Sequence, residues 1–154
     1  MARLKLLVIH CTATPPGREV SADDIRRWHT APPNEGGRGW KQVGYTDMIH
    51  LDGTVERLVE NNEDMEVDPW EVTNGAKGHN RTARHIVYVG GVASNGKTPK
   101  DTRTAAQREA LAAYVRDFHR RFPSVLIVGH NELAAKVCPS FDVQKWLKEL
   151  TVDS

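Results

Sequence analysis

Val125-Leu-Ile-Val-Gly-His130-Asn-Glu-Leu-Ala-Ala-Lys136-Val-Cys138-Pro-Ser-Phe-Asp142 passes from a branched apolar run into a polar segment with an imidazole, an ammonium and a thiol within nine residues. The apolar half has the length and β-branching of a buried strand. Asp142 stands where it can cap a helix whose inner face would be Val143, Trp146, Leu147 and Leu150. The arrangement recurs at the start of the chain, where Leu4-Lys-Leu-Leu-Val-Ile ends on His10. Imidazole nitrogen and thiolate sulfur are ligands that zinc prefers, and open sheets place ligands at the C-terminal ends of their strands. Two such strands suggest one shared metal site, with Lys136 beside it to stabilise a developing negative charge.

Working outward, the first strand is expected over Leu4 to Cys11. A Pro-Pro-Gly loop follows it, and Ser21 with Asp24 then opens a helix carrying Ile25 and Trp28 in capping-box fashion. Two prolines and three glycines make residues 31–39 a loop. Val43 to His50 and Thr54 to Val59 flank Leu51-Asp52-Gly53, a strong hairpin signal. Residues 61–84 are polar and irregular, a long loop of the kind that carries function or serves as a lid. Arg84 to Gly91 returns to a strand pattern. Thr104 and Gln107 form a capping box for a helix to Phe122, with Leu111, Tyr114, Val115, Phe118 and Phe122 at helical spacing. Strands and helices alternate while the hairpin breaks a purely parallel order. The reading is α/β: a single three-layer domain over residues 1–154, with a mixed central sheet of about five strands flanked by helices.

Size and composition agree with one domain. The chain has 154 residues, 39% hydrophobic and 27% charged, which is ordinary for a globular protein. Twenty-one basic residues against 20 acidic leave a net charge of +1, so no global field calls for a nucleic-acid partner. The Arg26-Arg27 and Arg120-Arg121 pairs read as solvated helix faces. No apolar run reaches the roughly 18 residues of a membrane helix. The apolar part of the N-terminus is too short for an export signal and has no small-residue cleavage site after it. Synthesis in the cytoplasm without a signal peptide is the expectation. Cys11 and Cys138 do not make a disulfide framework.

Seven histidines and two cysteines compete as ligands. Side chains alternate along a strand, so His10 and Cys11 face opposite ways, and Cys11 reads as a small buried residue. His29 and His119 fall in helices beside arginines and read as surface residues. His50, His79 and His85 stay open, and Cys138 is balanced between ligand and inert core. Spacing alone reaches a candidate zinc site.

The blocks Val8-Ile-His-Cys-Thr-Ala-Thr, Val43-Gly-Tyr, Asp52-Gly-Thr-Val-Glu, Gly75-Ala-Lys-Gly-His-Asn, Tyr88-Val-Gly-Gly and Gly129-His130 through Lys136-Val-Cys-Pro-Ser-Phe-Asp occur in order from about Leu6 to Leu150. Together they resemble the zinc-dependent N-acetylmuramoyl-L-alanine amidases, which share a fold with peptidoglycan recognition proteins. The short phage lysozymes of amidase type are the nearest likeness. The resemblance implies one Zn2+ held by His10, His130 and Cys138, with the fourth position left for water as in catalytic sites. It makes Tyr45 and Lys136 the catalytic side chains and suggests His79 and Asn80 as substrate contacts. Zinc would act as Lewis acid and water activator on the amide between N-acetylmuramic acid and L-alanine. Lys136 and Tyr45 would stabilise the oxyanion. Tyr45 is the first choice for proton transfer, ahead of Asp47 or Glu132.

The chain departs from the pattern at three positions around the expected cleft. Gly75 stands where a histidine is common, Asp47 replaces a histidine or apolar residue, and His85 replaces a small residue. The expected role is that of a phage or prophage endolysin, since a short single-domain chain with no wall-binding module in its sequence fits a lysis enzyme acting on a thin wall. Its expected partner is peptidoglycan or muropeptide, with no nucleic acid and no membrane, acting as a monomer on the wall after release or on cytoplasmic wall fragments. The alternatives are a non-catalytic peptidoglycan-binding module, which would typically lack the cysteine ligand, and a cytoplasmic muropeptide-recycling amidase.

Overall fold

The computed structural model describes residues 2–153, and side chains as far as residue 150; Met1 and Ser154, the ends of the expected 1–154 domain, lie outside the described residues. Five strands form one sheet: β2 (Leu6–Cys11), β3 (Asp47–Ile49), β4 (Val55–Arg57), β6 (Ala83–Tyr88) and β7 (Leu126–Gly129), in the order β4-β3-β6-β2-β7. All neighbours run parallel except the β3–β4 hairpin, which supplies an antiparallel edge. The expected mixed sheet is therefore what forms. A separate two-stranded antiparallel pair joins β1 (Ala2–Arg3) to β5 (Glu66–Val67).

Alternation along the strands builds three layers. Leu7, Ile9, Ile49, Ile86 and Tyr88 face helices α2 (Ala105–Arg121) and α3 (Val143–Asp153), where they pack with Leu111, Val115, Phe118, Val143 and Trp146. Met48 and Val87 face the other way and pack with Val20 and Ile25, the latter on α1 (Ala22–Thr30). Leu147 and Leu150 are partly buried against the first of these cores. Each of the two expected capping boxes is present: Ser21 Oγ accepts from the Asp24 N–H, and Thr104 Oγ1 from the Gln107 N–H.

Several boundaries differ from expectation: the strands expected over Thr54 to Val59 and Arg84 to Gly91 are Val55–Arg57 and Ala83–Tyr88. β2 starts at Leu6 because the Leu4 N–H is bonded to the Met65 carbonyl (2.7 Å) outside the sheet. The strand expected from Val43 shrinks to Asp47–Ile49, since the Gly44 N–H goes to His29 Nδ1 (2.9 Å) and not to a ladder. Residues 61–84 are not irregular throughout. They contain β5 and two one-turn 3-10 segments, Pro69–Glu71 and Asn80–Thr82, and the Glu71 carboxylate accepts from the Asn62 N–H at 2.9 Å.

Candidate metal centre

His10 sits one residue before the end of β2 on the α1 side of the sheet and is 1% exposed. β7 lies beside β2, and His130 begins a 3-10 turn directly after β7. The turn is closed by Glu132, whose carboxylate accepts the Gly129 N–H at 2.6 Å. The His10 and His130 ring centroids are thereby 4.7 Å apart. Cys138 comes from the loop that follows, with its Sγ 3.6 Å from His10 Nδ1 and accepting the Cys11 N–H at 3.2 Å.

That loop is tied down at the two residues after the cysteine, Pro139 and Ser140. The Tyr88 hydroxyl donates to the Pro139 carbonyl (2.6 Å), and the Ser140 hydroxyl donates to the Gly91 carbonyl (2.8 Å). Phe141 packs edge-on against Trp146, with the Arg103 guanidinium 3.5 Å above the Phe141 ring centroid. Cys11 is buried on the opposite face, as alternation requires, and its Sγ would lie 2.4 Å from a Cβ at Gly91. Glycine at 91, with φ of +106°, is therefore required by both backbone and space.

Electrostatics favour neutral imidazoles here. Burial, then the neighbouring His85, His130 and His29, hold His10 well below the usual histidine range. Burial and then the Lys136 charge lower His130. The hydrogen bond to Cys11, reinforced by burial, pushes the Cys138 thiol upward. The ligand atoms of His10, His130 and Cys138 all lie within 4.8 Å of one another. A tetrahedral zinc with N and S ligands has an N···S edge of about 3.5 Å, and the 3.6 Å between His10 Nδ1 and Cys138 Sγ matches it. Two neutral imidazoles and a thiol on three converging elements thus fit a zinc ion.

The three residues adjoin a cleft of about 390 Å³ lined by His29, Arg38, Trp40, Tyr45, His79, His130 and Lys136, among others. The Tyr45 ring centroid is 5.2 Å from that of His10 and 5.2 Å from that of His29. Burial first, then the nearby thiols, raise the Tyr45 pKa, so its hydroxyl keeps its proton and is available to donate. Lys136 is exposed at the rim. His79 lines the same cleft, whereas Asn80 Oδ1 turns inward to the Ala76 N–H at 2.8 Å and to His85 Nε2 at 3.0 Å.

Asp47 does not adjoin the cleft. It lies across the sheet, where its carboxylate binds Arg57 Nε (2.6 Å) and the Tyr114 hydroxyl (2.7 Å). Glu132 is engaged by the Gly129 N–H and by Gln144 Nε2. His29, expected at the surface, is 8% exposed. It follows Ala22 and Ile25 on the buried stripe of α1, a spacing legible in the sequence but obscured by the flanking arginines. Burial, then Arg38, lower its pKa to about 4. His85 is the second histidine drawn into the interior; it stands two residues before Val87, the β6 partner of His10, and so shares the His10 face.

The sequence and fold comparisons agree with this geometry. The sequence model of the family described as N-acetylmuramoyl-L-alanine amidase matches residues 1–141. The endolysin of Enterobacteria phage K11 is 34% identical over 140 residues, covering 91% of this chain and 83% of that protein. Among solved structures, the Ph2119 endolysin from the Thermus scotoductus MAT2119 bacteriophage aligns with a TM-score of 0.72 at 25% identity, over 97% of this chain and 86% of that one. The bumblebee peptidoglycan recognition protein PGRP-SA shares the fold, with a TM-score of 0.69 at 18% identity over 96% and 82% of the two chains. With a family match across nearly the whole chain and the His10, His130 and Cys138 group beside its cleft, this protein belongs to the N-acetylmuramoyl-L-alanine amidase family.

Proposed function

We propose that the chain acts as one amidase domain that hydrolyses the bond between the lactyl carbonyl of N-acetylmuramic acid and the amino group of L-alanine, using one zinc ion held by His10, His130 and Cys138. The observation that carries this reading is the convergence of those three ligand atoms beside the cleft that also holds Tyr45 and Lys136. Zinc bound there would supply Lewis-acid polarisation of the carbonyl and activation of water near neutral pH.

The protein's own groups supply the rest. As the carbonyl carbon becomes tetrahedral, negative charge grows on its oxygen, and the Lys136 ammonium at the rim attracts it. The Tyr45 hydroxyl, protonated through burial, donates a hydrogen bond to the same charge and is the group we assign to relay a proton from the attacking water to the departing amine, taking one proton as it gives up the other so that it ends protonated as it began. Asp47 is removed from that role by its place across the sheet, and Glu132 by its engagement with Gly129 and Gln144. His79 lies where it can contact substrate along the cleft wall.

The relatives named as endolysins support a role in lysis of the bacterial wall, after synthesis in the cytoplasm. Among the described residues no helix is long and apolar enough to cross a membrane, and the near-balanced charge favours neither nucleic acid nor a membrane surface as partner. Mass analysis of purified sacculi digested by the protein tests the reading. New L-alanine amino termini without new reducing sugar ends are expected; reducing ends would mean glycosidase action. Faster turnover of intact sacculi than of soluble anhydromuropeptides is expected of a lysis enzyme, and the reverse order would favour recycling.

A further inference from the structure

Beneath His10 lies a histidine that no step above uses. His85 is 0% exposed, and its Nδ1 is 2.8 Å from His10 Nε2. On its far side, His85 Nε2 is 3.0 Å from Asn80 Oδ1, which also accepts the Ala76 N–H at 2.8 Å.

The polarity of this chain is settled from its outer end. A backbone N–H can only donate, so the Asn80 atom facing Ala76 is its carbonyl oxygen, and that oxygen can only accept. The His85 Nε2 facing the same oxygen therefore carries a proton. A wholly buried imidazole with no carboxylate among its partners is neutral and has one proton. His85 Nδ1 is then bare and accepts from His10 Nε2–H. This leaves the His10 lone pair on Nδ1, the nitrogen 3.6 Å from Cys138 Sγ. Room for the relay comes from Gly75, where a Cβ would lie 2.5 Å from His85 Nδ1 and 2.6 Å from its Cγ.

We propose that Asn80 and His85 are positioning residues that fix His10 in the Nε2–H tautomer and so present its Nδ1 to the metal. The inference rests on the zinc reading above. Partners of this kind orient a ligating imidazole and raise its basicity, and losing one typically costs about 10- to 100-fold in metal affinity.

Zinc affinity, measured on metal-free protein by competition with a chromophoric chelator, tests it with His85→Leu and His85→Asn. Asparagine can place its Oδ1 near the site of the lost Nδ1, whereas leucine has similar bulk and no acceptor. The leucine variant should bind zinc about 10- to 100-fold more weakly, and the asparagine variant should stay within about threefold of the parent. A leucine variant as tight as the parent, or an asparagine variant as weak as the leucine one, would overturn the proposal. Should the leucine variant fail to fold by circular dichroism, histidine 15N spectra of the metal-free parent decide. They should show His10 and His85 as Nε2–H tautomers, and an Nδ1–H form of either overturns the relay. A parent that binds no zinc refutes the metal reading itself, which differs from a tight parent matched by its leucine variant.

Discussion

Lys136 does nothing for the folded state that its neighbours do not, being an exposed ammonium on a loop. The role proposed for it comes from its position at the cleft rim, between two of the candidate ligands in sequence, where its charge already lowers the His130 pKa. Lys136→Ala should leave zinc content unchanged and lower kcat on muropeptides about 100- to 1,000-fold, the usual loss of one oxyanion donor. Steady-state kinetics alongside metal analysis checks this, and unchanged turnover would remove the lysine from the reaction. At this scale the sequence was half legible. His10 and His130 are readable as a pair because two strand-like runs end on histidine, whereas Cys138 is balanced between ligand and inert core by pattern alone and joins them only through the resemblance to the amidases. His85 is not assignable from pattern, because a histidine within a strand reveals its partner only once the register sets it beside His10. The space that a side chain at position 75 would need is filled by its ring.

Elements, more than single residues, place the centre. β2 and β7 are neighbours in parallel register, so two sequence-distant histidines emerge at one sheet end. α2 is bound to that same end through Gln107, 0% exposed, whose Nε2 donates to the Val89 carbonyl at 2.9 Å and the Ile49 carbonyl at 3.4 Å. Gln107→Leu would leave the buried Val89 carbonyl without its donor, while the Ile49 carbonyl keeps the Val89 N–H at 3.0 Å, and should cost about 1–3 kcal/mol of stability. Urea unfolding measures it, and a midpoint equal to the parent's would show that the bonds contribute nothing net. Both long capped helices and all five sheet strands were legible because periodicity and caps are local signals. The ordering of residues 61–84 was not, because it depends on distant groups: Val67 pairs with Ala2, and Gln42 Nε2 donates to the Val72 carbonyl at 2.6 Å.

For the molecule as a whole, burying several neutral histidines has a cost that pH reveals. His29 and His85 titrate near about 4 and 3 in the folded protein, with burial the leading cause in each, and His10 and His130 are lowered as well. The unfolded chain takes up these protons near pH 6.5. Because the folded pKa values lie below the unfolded ones, stability is full above about pH 6.5 and falls as the pH drops toward 4. The slope contributed by each of the buried His10, His29 and His85 approaches roughly 1.4 kcal/mol per pH unit, and half-buried His130 adds less. Urea midpoints of metal-free protein across this range should fall with acidification; a flat profile would contradict the buried neutral state. The central claim, that His10, His130 and Cys138 together hold zinc, is tested most directly by X-ray absorption at the zinc edge of the loaded protein. The account predicts two nitrogen ligands at about 2.0–2.1 Å and one sulfur at about 2.3 Å, with the sulfur shell lost in Cys138→Ser. A parent spectrum without sulfur would contradict it.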